Sequence, residues 1–328
     1  TQTVAVSRCD SYNRSLLLSL LRKQFLDAGL TKEMICGKKV AIKPNLVVSK
    51  GPEAAATTHP ESLAAVTEIL KDYGPASLIL AESPGGPYTD ATLKSIYRAC
   101  GISRTAEEIG LELNYDCSFE PIRFAAGKTA RSFNIINPIN EADVIVNLCK
   151  LKTHSLMKMT CAVKNFFGVI PGVQKFEMHA KYSHVNDFGR MLVDLCEYLC
   201  ENKKIITVCD GILAMEGNGP SFGVPRKMDI LMTSLSPFAI DVVAEHVIGF
   251  DDTVLTTKIA AERNICPSDI RKINLIGDDI EQFRVTDFLE PDSKSGKFLK
   301  ELPNIMGGRL ASFFEPRPKI NTKKCVGC

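Results

Sequence analysis

The chain has 328 residues, of which 45% are hydrophobic and 24% are charged, and its formal net charge is +2. The composition predicts a globular protein with one large domain or two smaller ones. The balance of 40 basic against 38 acidic residues argues against a broad nucleic-acid-binding surface. Because no segment approaches the ~20 consecutive apolar residues of a membrane span and the first residues are polar, we expect no membrane partner, no signal peptide and a cytoplasmic location.

Short apolar runs alternate with amphipathic stretches along the chain. Strands are predicted at residues 3–6, 39–42, 77–81, 121–124, 132–135, 144–148, 205–209, 228–233 and 272–276. Helices are predicted at residues 14–28, 61–72, 89–100, 186–201, 237–247 and 253–263. This alternation indicates an α/β fold with a doubly wound, mostly parallel sheet and helices on both faces. We expect one body over residues 1–315, followed by a different segment at 316–328.

Ligands of such sheets bind beyond the carboxyl ends of the strands. We call this the strand-end rule, and it makes the residues that follow each strand candidates for the binding site. Lys43, Pro44 and Asn45 follow the second predicted strand. The proline ends the strand and leaves the lysine at its carboxyl end, where a cation suits a carboxylate or a phosphate. We therefore predict that Lys43 and Asn45 bind a ligand; an ordinary surface lysine before a turn is the alternative.

A denser group follows the strand at 144–148. Residues 150–154 read Lys-Leu-Lys-Thr-His, and residues 164–168 read Lys-Asn-Phe-Phe-Gly. Lysines beside bulky apolar residues lose hydration, which lowers their pKa. The pattern predicts a binding or catalytic cluster, in which the catalytic candidates are Lys152, His154 and Lys164, and the ligand-binding candidates are Asn165, Gly168 and His179.

Three carboxylates in the second half of the chain are further candidates. Asp210 is a fourth catalytic candidate, because it leaves a predicted strand into a glycine-rich stretch, where it could accept from a cluster lysine, bind a metal or act as a base; a plain Asp-Gly turn is the alternative. Glu216 and Gly219 follow in the same stretch and are predicted to bind the ligand. Asp241 is also predicted to bind the ligand. It lies inside an apolar helical stretch, so we expect a lysine of the cluster as its partner, with a helix N-terminus as the plainer alternative.

Most of the 12 cysteines stand singly in apolar stretches, which indicates buried thiols in a reducing compartment. The exceptions are Cys325 and Cys328, which follow a proline-rich linker at 314–318. Their C-x-x-C spacing resembles the first half of the bacterial ferredoxin pattern, whose cysteines hold four-iron (4Fe-4S) clusters. We expect the natural protein to continue into such a module, with both cysteines as metal ligands; a chance C-x-x-C is the alternative.

The ordered motifs at 43–45, 150–154, 164–168 and 210–220 together resemble the family called domain of unknown function 362, over about residues 38–250. The resemblance implies an iron–sulfur protein, because members are often joined to a ferredoxin-like module with two four-iron clusters. His154, Lys164 and His179 also follow an order similar to the nickel-pincer lactate racemase family, where histidines and a lysine hold the cofactor and handle the substrate. That family carries a glycine pair where this chain has Ala162 and Val163.

Three functions remain open at this point. The leading hypothesis is an iron–sulfur redox protein whose body binds a small anionic molecule and exchanges electrons with a partner. The alternatives are a non-redox or metal-dependent racemase or lyase that uses lysine and histidine as acid and base, and a binding or maturation protein without catalysis. The chain lacks a Walker loop, a dinucleotide fingerprint, an H-E-x-x-H motif and a G-x-S-x-G elbow, which weighs against the corresponding enzyme classes.

Overall fold

The computed structural model describes residues 2–292. Its strands are β1 (Thr3–Arg8), β2 (Lys39–Lys43), β3 (Ser77–Leu80), β4 (Glu112–Leu113), β5 (Phe119–Arg123), β6 (Ser132–Ile136), β7 (Val144–His154), β8 (Lys158–Thr160), β9 (Lys204–Glu216), β10 (Val224–Ser234) and β11 (Asn274–Gly277). Its α-helices are α1 (Arg14–Asp27), α2 (Pro60–Asp72), α3 (Asp90–Ala99), α4 (Ile102–Ile109), α5 (Asn137–Glu141), α6 (Ala162–Asn165), α7 (Gln174–Lys181), α8 (Val185–Asn202), α9 (Pro237–Val247) and α10 (Leu255–Glu262). None of the helices in residues 2–292 is long and apolar enough to cross a bilayer.

One sheet organises the molecule, with the strand order β11-β1-β10-β9-β7-β2-β3-β4. All neighbours on this path are parallel except β10, which runs antiparallel to both β1 and β9. The short β8 folds back antiparallel on β7, and β5 pairs with β6 in a separate hairpin. The predicted α/β fold with a mostly parallel sheet is confirmed.

Helices cover both faces of the sheet because the central strands are apolar on both sides. Val146 and Leu148 of β7 belong to a core that includes residues of α1, α2, α3 and α4. Ile145 and Cys149 of the same strand belong to a second core, which includes residues of α6, α8, α9 and α10. Successive side chains of a strand point to opposite faces, so β7 contributes to the two cores in alternation.

The strands β7 and β9 are longer than the apolar runs in the sequence indicated. All eleven residues of β7 are buried, including the segment 150–154 that the sequence placed after the strand. The polar segment stays extended because β9 pairs with it as far as Lys152 opposite Met215, and β8 pairs with it on the other side. Likewise, Asp210 lies within β9 rather than at its exit. The expected boundary at 315/316 and both C-terminal cysteines lie outside the described residues.

Candidate functional site

A cavity of about 300 Å³ lies at the carboxyl ends of β2, β3 and β7, with α6, α7 and residues 220–222 completing its wall. Among the described residues that line it, the titratable side chains are Lys43, Glu82, Lys152, His154, Lys164, Lys175 and His179. Four lysines therefore face one carboxylate. This is the crevice that the strand-end rule predicts for a ligand.

Lys43 and Glu82 form a buried ion pair at the base of the cavity. The Lys43 Nζ lies 2.6 Å from Glu82 Oε2, and both side chains are at most 4% exposed. The same ammonium donates to Pro44 O at 2.6 Å. Burial disfavours both charges, so it lowers the pKa of Lys43 and raises the pKa of Glu82, while the attraction between them opposes both shifts. Glu82 follows β3 directly, so the strand-end rule could have found it.

Lys152 is held by three oxygens of the protein. Its ammonium donates to Asn45 Oδ1 at 2.8 Å, to Ala56 O at 2.7 Å and to Pro220 O at 3.4 Å. Burial is the main reason that its pKa is well below the usual value, and the nearby Lys164 lowers it further. The predicted residue Asn45 therefore orients Lys152, and its own amide donates to Asn165 Oδ1 at 2.9 Å.

Lys175 of α7 is a cavity residue that the sequence analysis missed. Its ammonium donates to Ser83 O, and to Ser83 Oγ and Pro84 O at 3.2 Å each. Burial lowers its pKa to about 7. It follows no strand, and neighbouring residues of α7 are exposed, so no pattern in the sequence singles it out.

Lys164 of α6 differs from the other three lysines. It is half-buried, and within the described residues no oxygen or nitrogen of the protein accepts a hydrogen bond from its ammonium. The nearest aromatic partners of its Nζ are Phe167, at 5.5 Å from the ring centre, and Phe188, at 6.0 Å. Burial lowers the pKa of Lys164 to about 8. Its N–H groups are therefore available to a molecule in the cavity.

Both predicted histidines line the cavity as neutral rings. The Nδ1 of His154 accepts from the backbone N–H groups of Leu156 at 3.1 Å and Met157 at 3.2 Å, which leaves its proton on Nε2. Burial, followed by the charge of Lys164, puts the pKa of His154 well below its usual value. His179 stacks on Phe188 with ring centres 4.3 Å apart, and burial lowers its pKa to about 3.

Gly168 and Asn165 fix the floor of the cavity. A Cβ atom on Gly168 would lie 2.2 Å from Glu82 Oε1 and 2.5 Å from Lys43 Nζ, so the ion pair needs glycine there. Asn165 donates to Asn147 Oδ1 at 2.7 Å, which ties α6 to β7. Both were predicted to bind ligand; in the structure they support the charged residues and also line the cavity.

Asp210 lies away from the cavity. Its Oδ2 is 3.0 Å from Lys150 Nζ, and its Oδ1 accepts from the Tyr12 hydroxyl at 2.8 Å. A lysine of the predicted cluster is therefore its partner, as one of the interpretations held, but this pair does not line the cavity. Asp210 and Lys150 are paired before the irregularity in the β7–β9 register, whereas the cavity lining begins beyond it, at Lys152.

The other three ligand-binding candidates are also absent from the cavity lining. Asp241 accepts from the N–H groups of Ala162 at 2.6 Å and Val163 at 3.2 Å, so the expected lysine partner is wrong and the helix N-terminus is right. Glu216 accepts from the backbone N–H of Leu289 at 3.1 Å, because β9 carries it beyond the cavity. Gly219 lies against β7, where a Cβ would meet Thr153 O at 2.2 Å; its neighbour Pro220 lines the cavity instead.

Three buried thiols converge beside the cavity. The sulfur atoms of Cys149, Cys161 and Cys209 all lie within 4.8 Å of one another, an arrangement that can hold a metal ion. Their sulfurs are in near contact, so the group has room for one ion and does not fit a four-iron cluster. The sequence treated each thiol as a separate core residue, because only the register of β7 against β9 brings two of them together. Cys325 and Cys328 lie outside the described residues.

Fold and site define an α/β protein with a lysine-rich cavity at the carboxyl edge of its sheet. The family described as Domain of unknown function (DUF362) matches residues 40–246, and the chain belongs to this family. Thylakoid-associated protein sll1697 of Synechocystis sp. is 32% identical over 272 residues, which cover 80% of this chain and 79% of that protein. A crystal structure of a Thermotoga maritima protein aligns with a TM-score of 0.41 and 12% identity over 67% of this chain, which spans about half (55%) of that protein.

Proposed function

We propose that the cavity binds a small anion that carries a carboxylate or a phosphate group, and that Lys164 transfers a proton to or from the bound molecule. One observation carries the proposal: four lysines face a single carboxylate, and that carboxylate is already paired with Lys43. The positive charge that Lys152, Lys164 and Lys175 carry when they are protonated has no carboxylate of its own in a partly enclosed space, where electrostatic attraction is stronger than in water. An anion would therefore gain binding energy there.

The four lysines divide into two roles under this proposal. Lys43, Lys152 and Lys175 direct their N–H groups at protein oxygens. Their ammonium groups are held in place before the ligand arrives, so little reorganisation is needed when it binds, and a bound anion would favour their protonated forms. Lys164 supplies free N–H donors, and the Nε2–H of His154 offers a second donor.

Proton transfer by Lys164 is chemically reasonable at neutral pH. A general acid or base works best when its pKa lies near the operating pH, and burial lowers the pKa of Lys164 to about 8. The rings of Phe167 and Phe188 lie 5.5 and 6.0 Å from the amine and contribute to its apolar surroundings. Abstraction of a proton next to a carboxylate, as in a racemase or lyase, is one reaction that this arrangement supports.

Calorimetric titration of the protein with oxalate, malonate, phosphate and lactate, with glycerol as the uncharged comparison, tests the binding step. A hydrogen bond from a charged donor is worth about 1.5–3 kcal/mol, so Lys164→Met should weaken anion binding by about ten- to a hundredfold. Lys181→Met is the matched control, because Lys181 lies on the exposed side of α7. Equal affinity in Lys164→Met and the unaltered protein would contradict the proposal.

We also propose that Cys325 and Cys328 belong to an iron–sulfur module that exchanges electrons with the molecule in the cavity. The course of the described chain supports this. Asp292 donates its N–H to Asn218 Oδ1 at 2.9 Å, and residues 220–222 of the same loop line the cavity. Asp292 thus contacts the loop that forms part of the cavity wall.

Anaerobic purification of the protein tests the redox step. Visible absorption of a four-iron cluster that bleaches on reduction, and that disappears in Cys325→Ser, is the expected result. Zinc or no metal after anaerobic reconstitution would contradict it. Turnover without electron transfer would instead assign acid–base catalysis to Lys164 and His154, and tight binding without turnover would assign a binding or maturation role.

A further inference from the structure

The thiol group of Cys149, Cys161 and Cys209 is the strongest unassigned feature outside the cavity. Cys149 of β7 lies directly opposite Cys209 of β9 in the parallel register, and Cys161 precedes α6. The Cys161 sulfur is 3.7 Å from that of Cys149 and 3.4 Å from that of Cys209. Three different elements therefore deliver one sulfur each to the same point in the core.

The spacing suits a single metal ion. Thiolate sulfurs bind a first-row ion such as zinc at about 2.3 Å, so three sulfurs around one ion in a plane lie about 4 Å apart. The separations of 3.4 and 3.7 Å are within a few tenths of an ångström of this value, and the third lies within 4.8 Å.

The ligand number selects the ion. Within residues 2–292, no histidine, aspartate or glutamate atom joins the three sulfurs at ligand distance, and the three residues are at most 1% exposed. The Asp241 carboxylate accepts a hydrogen bond from the Cys161 thiol, but it does not lie within 4.8 Å of all three sulfurs. Among these residues, therefore, no fourth protein ligand completes a tetrahedron, and burial keeps bulk water away. Structural zinc is almost always four-coordinate, whereas soft thiolate ligands select Cu(I). The donor set and its burial therefore favour a soft monovalent ion over zinc.

Charged side chains of both signs lie near the thiols. Three thiolates and one Cu(I) carry a net negative charge, and Lys43 and Lys150 lie within electrostatic range of Cys149 and Cys209, respectively. The carboxylates of Asp241 and Asp210 lie within range of the same two cysteines, so the two lysines offset two carboxylates. Thr160, the residue before Cys161, lines the anion cavity, so the site and the cavity are neighbours along the chain.

We propose that Cys149, Cys161 and Cys209 bind one Cu(I) ion in a three-coordinate site that is separate from the anion-binding cavity. The site does not depend on the function proposed for the cavity. The three thiolates complete the coordination of the ion without a substrate. The site would therefore store or carry the metal, or the bound ion would stabilise the junction of β7, β9 and α6. No ligand of the site is a lysine or histidine of the cavity.

The test is an anaerobic titration of the reduced chain carrying Cys325→Ser and Cys328→Ser, with Cu(I) supplied in competition with the chelator bicinchoninate. One tightly bound ion per chain, with three sulfur neighbours by X-ray absorption spectroscopy, is expected. Cys161→Ser and Cys209→Ser should each lose this site, while Cys196→Ser, a buried cysteine of α8, should keep it. Far-UV circular dichroism of each variant confirms that it is folded.

Three results would overturn the proposal: no tight Cu(I) binding to the folded chain, unchanged binding in both Cys161→Ser and Cys209→Ser, or preferential binding of Zn(II) with four ligands. Anion affinity is measured on the same samples. Lys164 is not a ligand of the copper site, so the two proposals can fail independently. Absence of copper binding with intact anion binding would contradict only the copper site, and absence of anion binding with intact copper binding would contradict only the function proposed for the cavity.

Discussion

Lys150 and Lys152 are two positions apart on β7, and their ammonium groups belong to separate networks. Lys150 Nζ lies 3.0 Å from Asp210 Oδ2, whereas Lys152 Nζ lies 2.8 Å from Asn45 Oδ1. The division coincides with an irregularity in the pairing with β9, where Lys150 is opposite Asp210 and Lys152 is opposite Met215. One strand therefore supplies a structural ion pair and, a few ångströms further along, a wall of the cavity.

Tyr12→Phe should destabilise the protein without weakening anion binding. The Tyr12 hydroxyl donates to Asp210 at 2.8 Å and accepts from Lys150 at 2.8 Å, so its removal leaves buried charged groups with one hydrogen bond fewer. The expected loss is about 1–3 kcal/mol in the free energy of unfolding, measured by urea denaturation. If the folded variant bound anions more weakly, the Lys150–Asp210 pair would belong to the functional site after all.

Lys43→Met should be among the most destabilising single substitutions at the cavity. It leaves the carboxylate of Glu82 buried without its partner at 2.6 Å, and breaking a buried pair in this way costs about 3–5 kcal/mol. The double variant Lys43→Met/Glu82→Gln should recover part of the loss, because no charge is left unpaired. Lys94→Met, which breaks an exposed pair with Asp90, should leave the urea midpoint unchanged; a large shift there would contradict the role given to burial.

Gly168→Ala should lower both stability and anion affinity. Its Cβ would lie 2.2 Å from Glu82 Oε1, and overpacking of a dense interior costs about 1–3 kcal/mol. Gly85→Ala is a matched control in the same cavity, because a Cβ there meets only Val47 O at 3.9 Å. Urea denaturation and anion titration should show lower stability and weaker anion binding for Gly168→Ala, and values close to those of the unaltered protein for Gly85→Ala. Similar behaviour of the two would show that the ion pair moves aside easily.

Anion affinity should decline as the pH rises from about 7 to 9. A lysine is charged below its pKa, and burial lowers the pKa of Lys175 to about 7 and that of Lys164 to about 8. Deprotonation of each removes one positive charge from the cavity, while the histidines are already neutral. In Lys164→Arg the part of the decline that occurs near pH 8 should disappear, since arginine stays charged over this range. A flat profile from pH 6 to 9, measured by calorimetry, would contradict the assignment of Lys164.

The sequence patterns predicted the fold class and most element positions, because apolar runs and helix signals are local. The strand-end rule also found Lys43 and Lys152. It could not find Lys175, which follows no strand, and it put Asp210 at a strand exit because the strand's polar continuation is visible only through its partner strands. The convergence of Cys149 with Cys209 depends on inter-strand register, which no local pattern contains.

The position of β1 has a consequence for how the protein is made. Its two neighbours in the sheet are β10 and β11, with Ala5 opposite Thr233 and Val4 opposite Leu275. At a synthesis rate of about 5–20 residues per second, the ribosome needs roughly ten to fifty seconds to deliver the first of these neighbours. During that interval the apolar segment Val4-Ala5-Val6 has no strand to pair with, which makes it a natural point of contact for chaperones on the nascent chain.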